Sequence, residues 1–194
     1  DWILTKNKKV YLVTGSDVEK TKEQLSEDLM DACLGVFTCS GNVFRQNDKI
    51  IYSNVFDPSE EFLEDLELYL DNSEWRVKKG NHIERRPGII NFSTDGRDAS
   101  YNMRKAYERW DATSREREDI VAYINEIYPE LEVSIGGSIS VDIYPKGKNK
   151  GQVIEKLREL HGADVQMIFV GDKNKPGGND WPLAQRLDPI EGSE

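Results

Sequence analysis

The spacing of apolar positions changes along the chain, and the changes predict strands alternating with helices near both ends. Residues 9–14 form a short apolar run typical of a buried strand, and the small residues 15–17 lead into a helix predicted over 18–30. Near the other end, helical spacing over 150–161 precedes residues 164–170, a nearly unbroken apolar run that predicts a strand covered on both faces. Both ends therefore have α/β character.

The middle of the chain has a different pattern, which predicts a separate α+β unit with two helices. One helix is predicted to open at residues 57–59 and to carry an apolar stripe through Phe62, Leu66 and Leu70, and the other to open at Ser114. Antiparallel strands are predicted at residues 83–86, 89–93, 131–135 and 138–143, the last two joined by a turn at Gly136-Gly137.

Together these patterns predict an α/β protein whose core is interrupted by an inserted domain. The length of 194 residues allows one large domain or two small ones. We expect the core over residues 1–50 and 148–194 and the inserted α+β domain over residues 51–147.

The charge balance excludes some classes of partner. The chain has 26 Lys and Arg against 36 Asp and Glu, a net charge of −10, which argues against a general nucleic-acid binder but leaves small phosphates open. No apolar run approaches the roughly 20 residues of a membrane helix, so we expect no membrane partner and a cytoplasmic location. Cys33 and Cys39 fit structural thiols in a reducing compartment better than a disulfide or zinc site.

Candidate core chemistry lies where the predicted strands end. Gly171-Asp172 follows the second apolar run, and a Gly-rich loop leads from it to Asp180, so two carboxylates could converge on a hard cation such as Mg²⁺. Thr14 ends the first strand where a helix begins, a place suited to an anion, and Lys150 could neutralise a phosphoryl group. Taken singly, each has an ordinary alternative as an Asp-rich turn, a helix cap or a surface charge.

A second candidate is the cluster of arginines in the inserted domain. Residues 84–109 include Arg86, Arg97 and Arg104 and have a local excess of two positive charges within an acidic chain. Guanidinium groups bind phosphate in a bidentate manner. Scattered surface arginines are the alternative, and charge counting alone favours it.

Several strings, taken together, resemble the eukaryotic-type phosphomannomutases of the haloacid dehalogenase superfamily over nearly the whole chain. They agree with that family in order and spacing, and the middle ones resemble its cap domain, which differs among branches of the superfamily. The strings are Val13-Thr14-Gly15-Ser16-Asp17, Gly88-Ile89-Ile90-Asn91-Phe92-Ser93, Gly96-Arg97, residues 134–142, Gly171-Asp172 and residues 176–180.

This resemblance implies a haloacid-dehalogenase-like Rossmannoid core with an inserted α+β cap of antiparallel strands and helices. In the cap it implies that Arg86, Arg97 and Arg104 hold a sugar phosphate and that Ser140 and Asp142 contact the substrate from the neighbouring strand.

In the core, the resemblance implies that Asp172 binds Mg²⁺ with Asp180 as a supporting acid in the same loop. It further implies that Lys150 steadies the phosphoryl group and that the hydroxyl of Thr14 or Ser16 binds it. Thr14 stands where this branch has glycine, although threonine is usual in the wider superfamily.

One family feature is absent from the sequence. The family has Asp-x-Asp-Gly-Thr at the end of its first core strand, with a nucleophilic and an acid/base aspartate, and no Asp-x-Asp occurs in this chain. The start at Asp1 without methionine and the tail at Glu191–Glu194 suggest that the first strand and the last elements have been lost. We expect a fragment with little or no turnover rather than a degenerate relative, because the substrate-binding residues are present.

For the intact enzyme, the resemblance implies interconversion of mannose 6-phosphate and mannose 1-phosphate through a phospho-aspartate and a hexose bisphosphate, feeding GDP-mannose synthesis. A sugar-phosphate phosphatase of the same superfamily and a non-catalytic sugar-phosphate-binding relative are the alternatives. Preference for mannose or glucose phosphate stays open. The resemblance also suggests a homodimer through the cap, which the Phe62/Leu66/Leu70 helix could form, although that stripe suits packing inside the domain better.

Overall fold

The computed structural model describes residues 8–47 and 49–187, and these fall into two compact units. The first unit is made from residues 1–55 and 147–194, and the second from residues 56–146. The first boundary lies after Val55 instead of residue 50, because strand β4 (Lys49–Ser53) pairs with β3 (Val43–Gln46) and belongs to the first unit. The expectation about lost terminal strands concerns chain ends that lie outside the described residues.

The first unit is built around a four-stranded sheet in the order β1-β2-β3-β4. β1 pairs with β2 in parallel, and the other two pairs are antiparallel. Its core packs Phe37 and Phe44 against Val153, Ile154 and Leu183. The remaining elements of the unit are β1 (Tyr11–Val13), α1 (Val18–Gln24), α2 (Glu27–Asp31), β2 (Gly35–Thr38), α6 (Gln152–His161) and α7 (Trp181–Ala184).

Two expectations for the first unit are wrong. The helix predicted over residues 18–30 is two helices, because Leu25 is extended and the Ser26 side chain caps α2 by accepting a hydrogen bond from the Leu29 amide. Residues 164–170 pair with no strand in the described part of the chain, and only one face is covered. Ile168 and Val170 are 73% and 80% exposed, whereas Met167 and Phe169 pack on the core.

The second unit packs helices on one face of an antiparallel sheet in the order β5-β6-β8-β7. Phe62 and Leu66 on α3 and Ile120 and Ile124 on α5 bury that face. The stripe on α3 is therefore packing inside the unit. The elements are α3 (Glu60–Asn72), β5 (Ile83–Arg86), β6 (Ile89–Phe92), α4 (Tyr101–Ser114), α5 (Glu116–Ile127), β7 (Leu131–Gly136) and β8 (Ser140–Pro145).

The expected count of two helices in this unit is wrong, because α4 is a third. Ser114 ends α4 instead of opening a helix, and α5 follows after Arg115, which has a left-handed backbone with φ of 61°. The sequence hides α4 because that helix is polar, and only Tyr107 and Asp111 along it are buried. Among the described helices, none combines the length and the apolar character needed to cross a membrane.

Candidate sugar-phosphate site and core ion pair

A line of polar side chains crosses the sheet of the second unit on the face opposite its hydrophobic core. Glu84 on β5 is in register with Asn91 on β6, Asn91 with Asp142 on β8, and Asp142 with Ser134 on β7. Side chains alternate between the two faces of a sheet, so the neighbours of Asn91, Asp142 and Ser134 along their strands enter the core instead. Asn91 and Asp142 are 3% exposed and Ser134 is 5% exposed, so the polar line is desolvated at these three residues, whereas the Glu84 side chain is 28% exposed.

Asn91 lies at the centre of this line and joins its predicted members. Its side-chain nitrogen donates to Asp142 Oδ1 at 2.7 Å and to Ser140 Oγ at 3.1 Å. Its side-chain oxygen accepts from the Arg97 guanidinium at 2.9 Å. Asn91 lies in one of the family strings but was not predicted to have a role; the alternation of polar and apolar residues along its strand is the signal that would have found it.

Glu84 holds two of the predicted arginines close together. Its Oε2 lies 2.6 Å from a terminal nitrogen of Arg86 and 3.0 Å from Nε of Arg97. Burial lowers the pKa of the Arg97 guanidinium; Glu84 and Asp142 oppose this, and Arg86 and Arg104 add to it. The cluster has three guanidinium groups, on Arg86, Arg97 and Arg104, beside the carboxyl groups of Glu84, Asp142 and Asp95, so binding of an anion would depend on hydrogen bonds from individual guanidinium groups and not on an excess of positive charge.

Arg104 is close to the cluster but is bound to backbone. Its guanidinium donates to the carbonyl of Ala99 at 2.9 Å and to that of Arg97 at 2.6 Å. These bonds hold the loop that carries Arg97. The structure therefore gives Arg104 a loop-holding contact, and direct phosphate binding by Arg104 stays a prediction.

The same loop contains a buried acid that sequence reasoning did not select. Asp95 Oδ1 accepts from the Trp75 indole nitrogen at 3.0 Å, and its Oδ2 has no hydrogen-bond partner among the described residues. Burial raises the pKa of Asp95, while the Trp75 hydrogen bond, Arg104 and His82 oppose the increase.

In the first unit, the structure brings two of the predicted residues together as a buried ion pair. Lys150 Nζ lies 2.5 Å from Asp180 Oδ1, and each side chain is 7% exposed. Asp180 Oδ2 accepts from the Lys173 amide at 3.1 Å. Both oxygens of Asp180 thus have protein donors, an arrangement that anchors Lys150.

The other core candidates lie at turns. Ser16 donates its amide to Thr14 Oγ1 at 3.1 Å, and Asp17 caps α1 by accepting from the Lys20 amide. Asp172 lies in the exposed segment that follows residues 164–170.

Within residues 8–47 and 49–187, no three His, Cys, Asp or Glu side chains gather as ligands of one metal ion. A cage made only of protein ligands is therefore not present in that part of the chain. Mg²⁺ commonly binds one or two carboxylates together with water and substrate phosphate. The exposed carboxylate of Asp172 fits that mode, whereas Asp180 is engaged by Lys150 and the Lys173 amide.

Comparison with solved structures defines the class of fold. A Streptococcus mutans protein aligns with a TM-score of 0.62 at 13% identity, covering 96% of this chain and 74% of that one. A haloacid dehalogenase-like hydrolase from Bacteroides thetaiotaomicron aligns with a TM-score of 0.52 at 11% identity, covering 83% and 67%. The fold is therefore haloacid-dehalogenase-like, as the sequence resemblance implied.

Sequence comparison identifies the family within that class. The model of the eukaryotic phosphomannomutase family matches residues 3–189, so the chain belongs to that family. A wheat (Triticum aestivum) phosphomannomutase is 32% identical over 193 residues, covering 94% of this chain and 75% of the wheat protein. A tomato (Solanum lycopersicum) phosphomannomutase is 33% identical over 184 residues, covering 91% and 71%. The resemblance inferred from the motifs is confirmed.

Proposed function

We propose that this chain carries the substrate-binding unit and part of the core of a phosphomannomutase, which interconverts mannose 6-phosphate and mannose 1-phosphate. The observation that carries the proposal is the contact set of Arg97, which is bound to Glu84 on one side and to Asn91 on the other. This set holds a guanidinium rigidly above a desolvated polar sheet face, beside Ser140 and Asp142.

Each group of residues has a separate task in this proposal. Arg97, with Arg86 beside it, binds the phosphate that does not react. Asp142 accepts hydrogen bonds from sugar hydroxyls, and the Ser140 hydroxyl accepts from them or donates to them. A guanidinium already held by protein contacts loses little freedom when it binds, so it can position the sugar accurately.

In the core, Lys150 supplies positive charge near the phosphoryl group in transfer, with Asp180 keeping its ammonium in place. The hydroxyls of Thr14 and Ser16 are proposed as further donors. Mg²⁺, with Asp172 as one ligand, would stabilise negative charge on the phosphoryl oxygens when bound. The reaction proceeds through a phospho-aspartate and a hexose bisphosphate. The phospho-aspartate forms on the family's Asp-x-Asp pair, and no such pair occurs in the 194 residues.

The proposal extends to the setting of the enzyme. We propose that the product supplies GDP-mannose synthesis in the cytoplasm and that the enzyme forms a homodimer through its second unit. Because Phe62 and Leu66 are each only 2% exposed and lie in the core of that unit, the dimer contact would use other residues.

The test is binding of mannose 1-phosphate to the 194-residue chain, measured by titration calorimetry. Arg97→Met should weaken binding by roughly ten- to a hundredfold, the range expected for losing hydrogen bonds to a charged group. Arg85→Met is the matched control, because Arg85 is on β5 next to Glu84, the partner of Arg97, but its side chain is 56% exposed and lies 3.9 Å from Asp57. Equal losses in the two variants would contradict the proposed site.

Turnover separates the proposed reaction from the phosphatase alternative. We expect the 194 residues alone to bind hexose phosphate without isomerising it, and measurable isomerisation of mannose 1-phosphate would refute that expectation. In an active full-length form, a mutase transfers phosphate between sugar positions, whereas a phosphatase releases inorganic phosphate. Release of phosphate without isomerisation would therefore favour the alternative.

A further inference from the structure

A cavity of about 290 Å³ lies within the second unit, where α3 and α4 end and α5 begins. Its wall includes two aromatic side chains, Tyr69 and Trp110, and three acidic residues, Glu74, Glu116 and Asp119. None of these residues belongs to the polar line across the sheet or to the arginine cluster. The cavity is therefore made from residues that the proposed function does not use.

Hydrogen bonds between the three helices hold the wall of this cavity in place. Glu116, the first residue of α5, is 6% exposed, and its two carboxylate oxygens accept from the hydroxyl groups of Ser73 and Tyr107. The Ser73 hydroxyl also accepts from the Trp75 amide at 3.1 Å. Because Ser73 directly follows α3 and Tyr107 lies on α4, Glu116 joins all three helices. A cavity whose walls are fixed in this way needs little rearrangement to receive a ligand.

The acidic residues of the wall have no cation of their own. Within the described part of the chain, Glu74, Glu116 and Asp119 form no ion pair. The positive end of the α5 dipole offsets part of the charge on Glu116 and Asp119, but Glu74 lies beyond the end of α3, where the dipole is negative. The pKa of Tyr69 is raised to about 12, first by burial and then by the negative charges of Glu116, Asp119 and Asp111. The wall therefore has a negative charge that is not balanced.

Cations on the adjoining segments have other partners. Arg115 is paired with Glu118, and Arg117 is paired with Asp111 at 2.7 Å. The ammonium of Lys78 donates to a carbonyl in the last turn of α3. Buried carboxylates are usually paired with a cation, and these groups do not supply one to the cavity by direct contact.

One polar atom of the wall points to a ligand independently of the charge. Ser114 lines the cavity, its Oγ is buried, and no described residue forms a hydrogen bond with it. A buried hydroxyl without a partner is unfavourable, and this oxygen can both accept and donate. A ligand with N–H donors would satisfy Ser114 Oγ, and the acids around the cavity favour a donor that is also a cation.

The aromatic part of the wall suits the flat face of such a cation. The Trp110 ring packs against the rings of Trp75 and Tyr107, with centroids 5.3 Å and 5.7 Å away, and these contacts limit its movement. Aromatic faces attract cations, and a guanidinium group stacks on them as well as being attracted. A fixed indole beside carboxylates therefore favours a guanidinium over other cations.

We propose that this cavity binds a small molecule that carries a guanidinium group on a short alkyl chain. The guanidinium stacks on Trp110, and its N–H groups donate to Glu74, Asp119 and Ser114 Oγ. Its five donors suit acceptors on three different segments better than the three donors of an ammonium. The cavity volume lies near the lower end of the range for ligand sites, which fits a ligand about as large as an arginine side chain. This assignment goes beyond the proposed function and does not depend on it.

The test is an NMR titration of the isotope-labelled 194-residue chain with n-butylguanidinium. The indole N–H signal of Trp110, assigned with Trp110→Phe, should shift in a saturable way, whereas that of Trp181 in the first unit should not. n-Butylurea has nearly the same shape without the charge and should bind at least about tenfold more weakly. n-Butylammonium should also bind more weakly than n-butylguanidinium.

Several results of the titration would overturn the proposal. Equal affinities for n-butylguanidinium and n-butylurea would mean that charge does not matter in the cavity. Equal affinities for n-butylguanidinium and n-butylammonium would exclude the guanidinium assignment. Equal shifts of Trp110 and Trp181 would mean non-specific association, and no saturable shift of Trp110 would mean that the cavity does not bind the probe.

Asp119→Asn tests the acidic wall with little risk to folding, because Asp119 is exposed. This variant should weaken binding of n-butylguanidinium about fivefold. Glu118→Gln is the matched control, because it removes one negative charge from the same helix at an acid that pairs with Arg115 and does not line the cavity. Equal weakening in the two variants would mean attraction by overall charge alone and would contradict a defined site.

Ser114→Ala tests the hydroxyl group separately from stability. Binding of n-butylguanidinium should weaken about fivefold, because one hydrogen bond to a charged group is lost. The free energy of unfolding in urea should not fall, because the variant removes a buried hydroxyl that has no partner among the described residues. An unchanged affinity for Ser114→Ala would exclude the hydroxyl as a ligand contact and would overturn the assignment.

Discussion

The buried ion pair between Lys150 and Asp180 offers the sharpest test of the core. Replacing Lys150 by methionine keeps most of the side-chain volume and removes the ammonium that lies 2.5 Å from Asp180 Oδ1. Asp180 would then keep a single donor, the Lys173 amide at 3.1 Å. A carboxylate that is 7% exposed would be left without a cation.

The size of the effect follows from that desolvation. Breaking a buried ion pair by removing one partner costs about 3–5 kcal/mol, and the remaining Lys173 hydrogen bond places the expected loss near the lower end. A loss of about 3 kcal/mol corresponds to more than a hundredfold change in the unfolding equilibrium. Lys150→Met/Asp180→Asn removes both charges and keeps an acceptor for Lys173, so it should recover at least half of the loss.

Urea unfolding followed by circular dichroism measures these differences in the free energy of unfolding. Lys156→Met, on the helix α6 that follows Lys150, is the matched control, because its ion pair with Glu159 is partly exposed at 27% and 65% and is worth at most about 1 kcal/mol. If Lys150→Met and Lys156→Met cost the same, the Lys150–Asp180 pair is solvated and the reasoning fails.

Three smaller perturbations test other parts of the fold. Because burial raises the pKa of Asp95, the native state holds its proton more tightly than the unfolded state, so stability falls as pH rises from the ordinary value of 3.8 through the native pKa. Asp95→Asn should remove this loss and keep the Trp75 contact. In thermal unfolding at several pH values, Asp95→Asn should be more stable than the unsubstituted protein, with a difference that vanishes below pH ~4. A difference that is the same at every pH would contradict titration of Asp95 as the cause. Ser59→Ala removes the N-cap of α3 and should lower the free energy of unfolding, measured in urea, by about 1 kcal/mol. An unchanged free energy of unfolding would contradict a stabilising role of this cap. Gly41→Ala should lower the free energy of unfolding by at least about 1–2 kcal/mol, because φ is 87° and the new Cβ would lie 2.8 Å from Val153. An unchanged midpoint of urea unfolding would contradict a left-handed backbone at Gly41.

Part of the candidate site could be predicted from sequence because its residues alternate on strands. Arg97, Ser140 and Asp142 lie in the family strings, and the sheet register brings Asp142 next to Asn91. Glu84 was missed because a single acid beside two arginines looks like ordinary charge balance. Only the pairing of β5 with β6 makes it the common partner of Arg86 and Arg97.

Elements with strong periodicity were predicted well, and polar or unpaired ones were not. Helix α6 and strands β6–β8 have clear apolar patterns and were confirmed with small shifts of their ends. Helix α4 was missed because its long polar surface gives little periodic signal. Residues 164–170 were assigned as a strand covered on both faces, but a strand requires a hydrogen-bonded neighbour, and local composition does not contain that information.

For this protein, the sequence by itself determined the family, the order of most elements and the residue types available for phosphate binding, because these depend on local spacing and motif order. Tertiary structure alone decided which charges neutralise one another. The pairing of Lys150 with Asp180 and the sharing of Glu84 by Arg86 and Arg97 depend on distances set by packing. So does the convergence of Asn54 and Lys148 on Asn42, since these residues are far apart in the chain and meet only when the first unit folds.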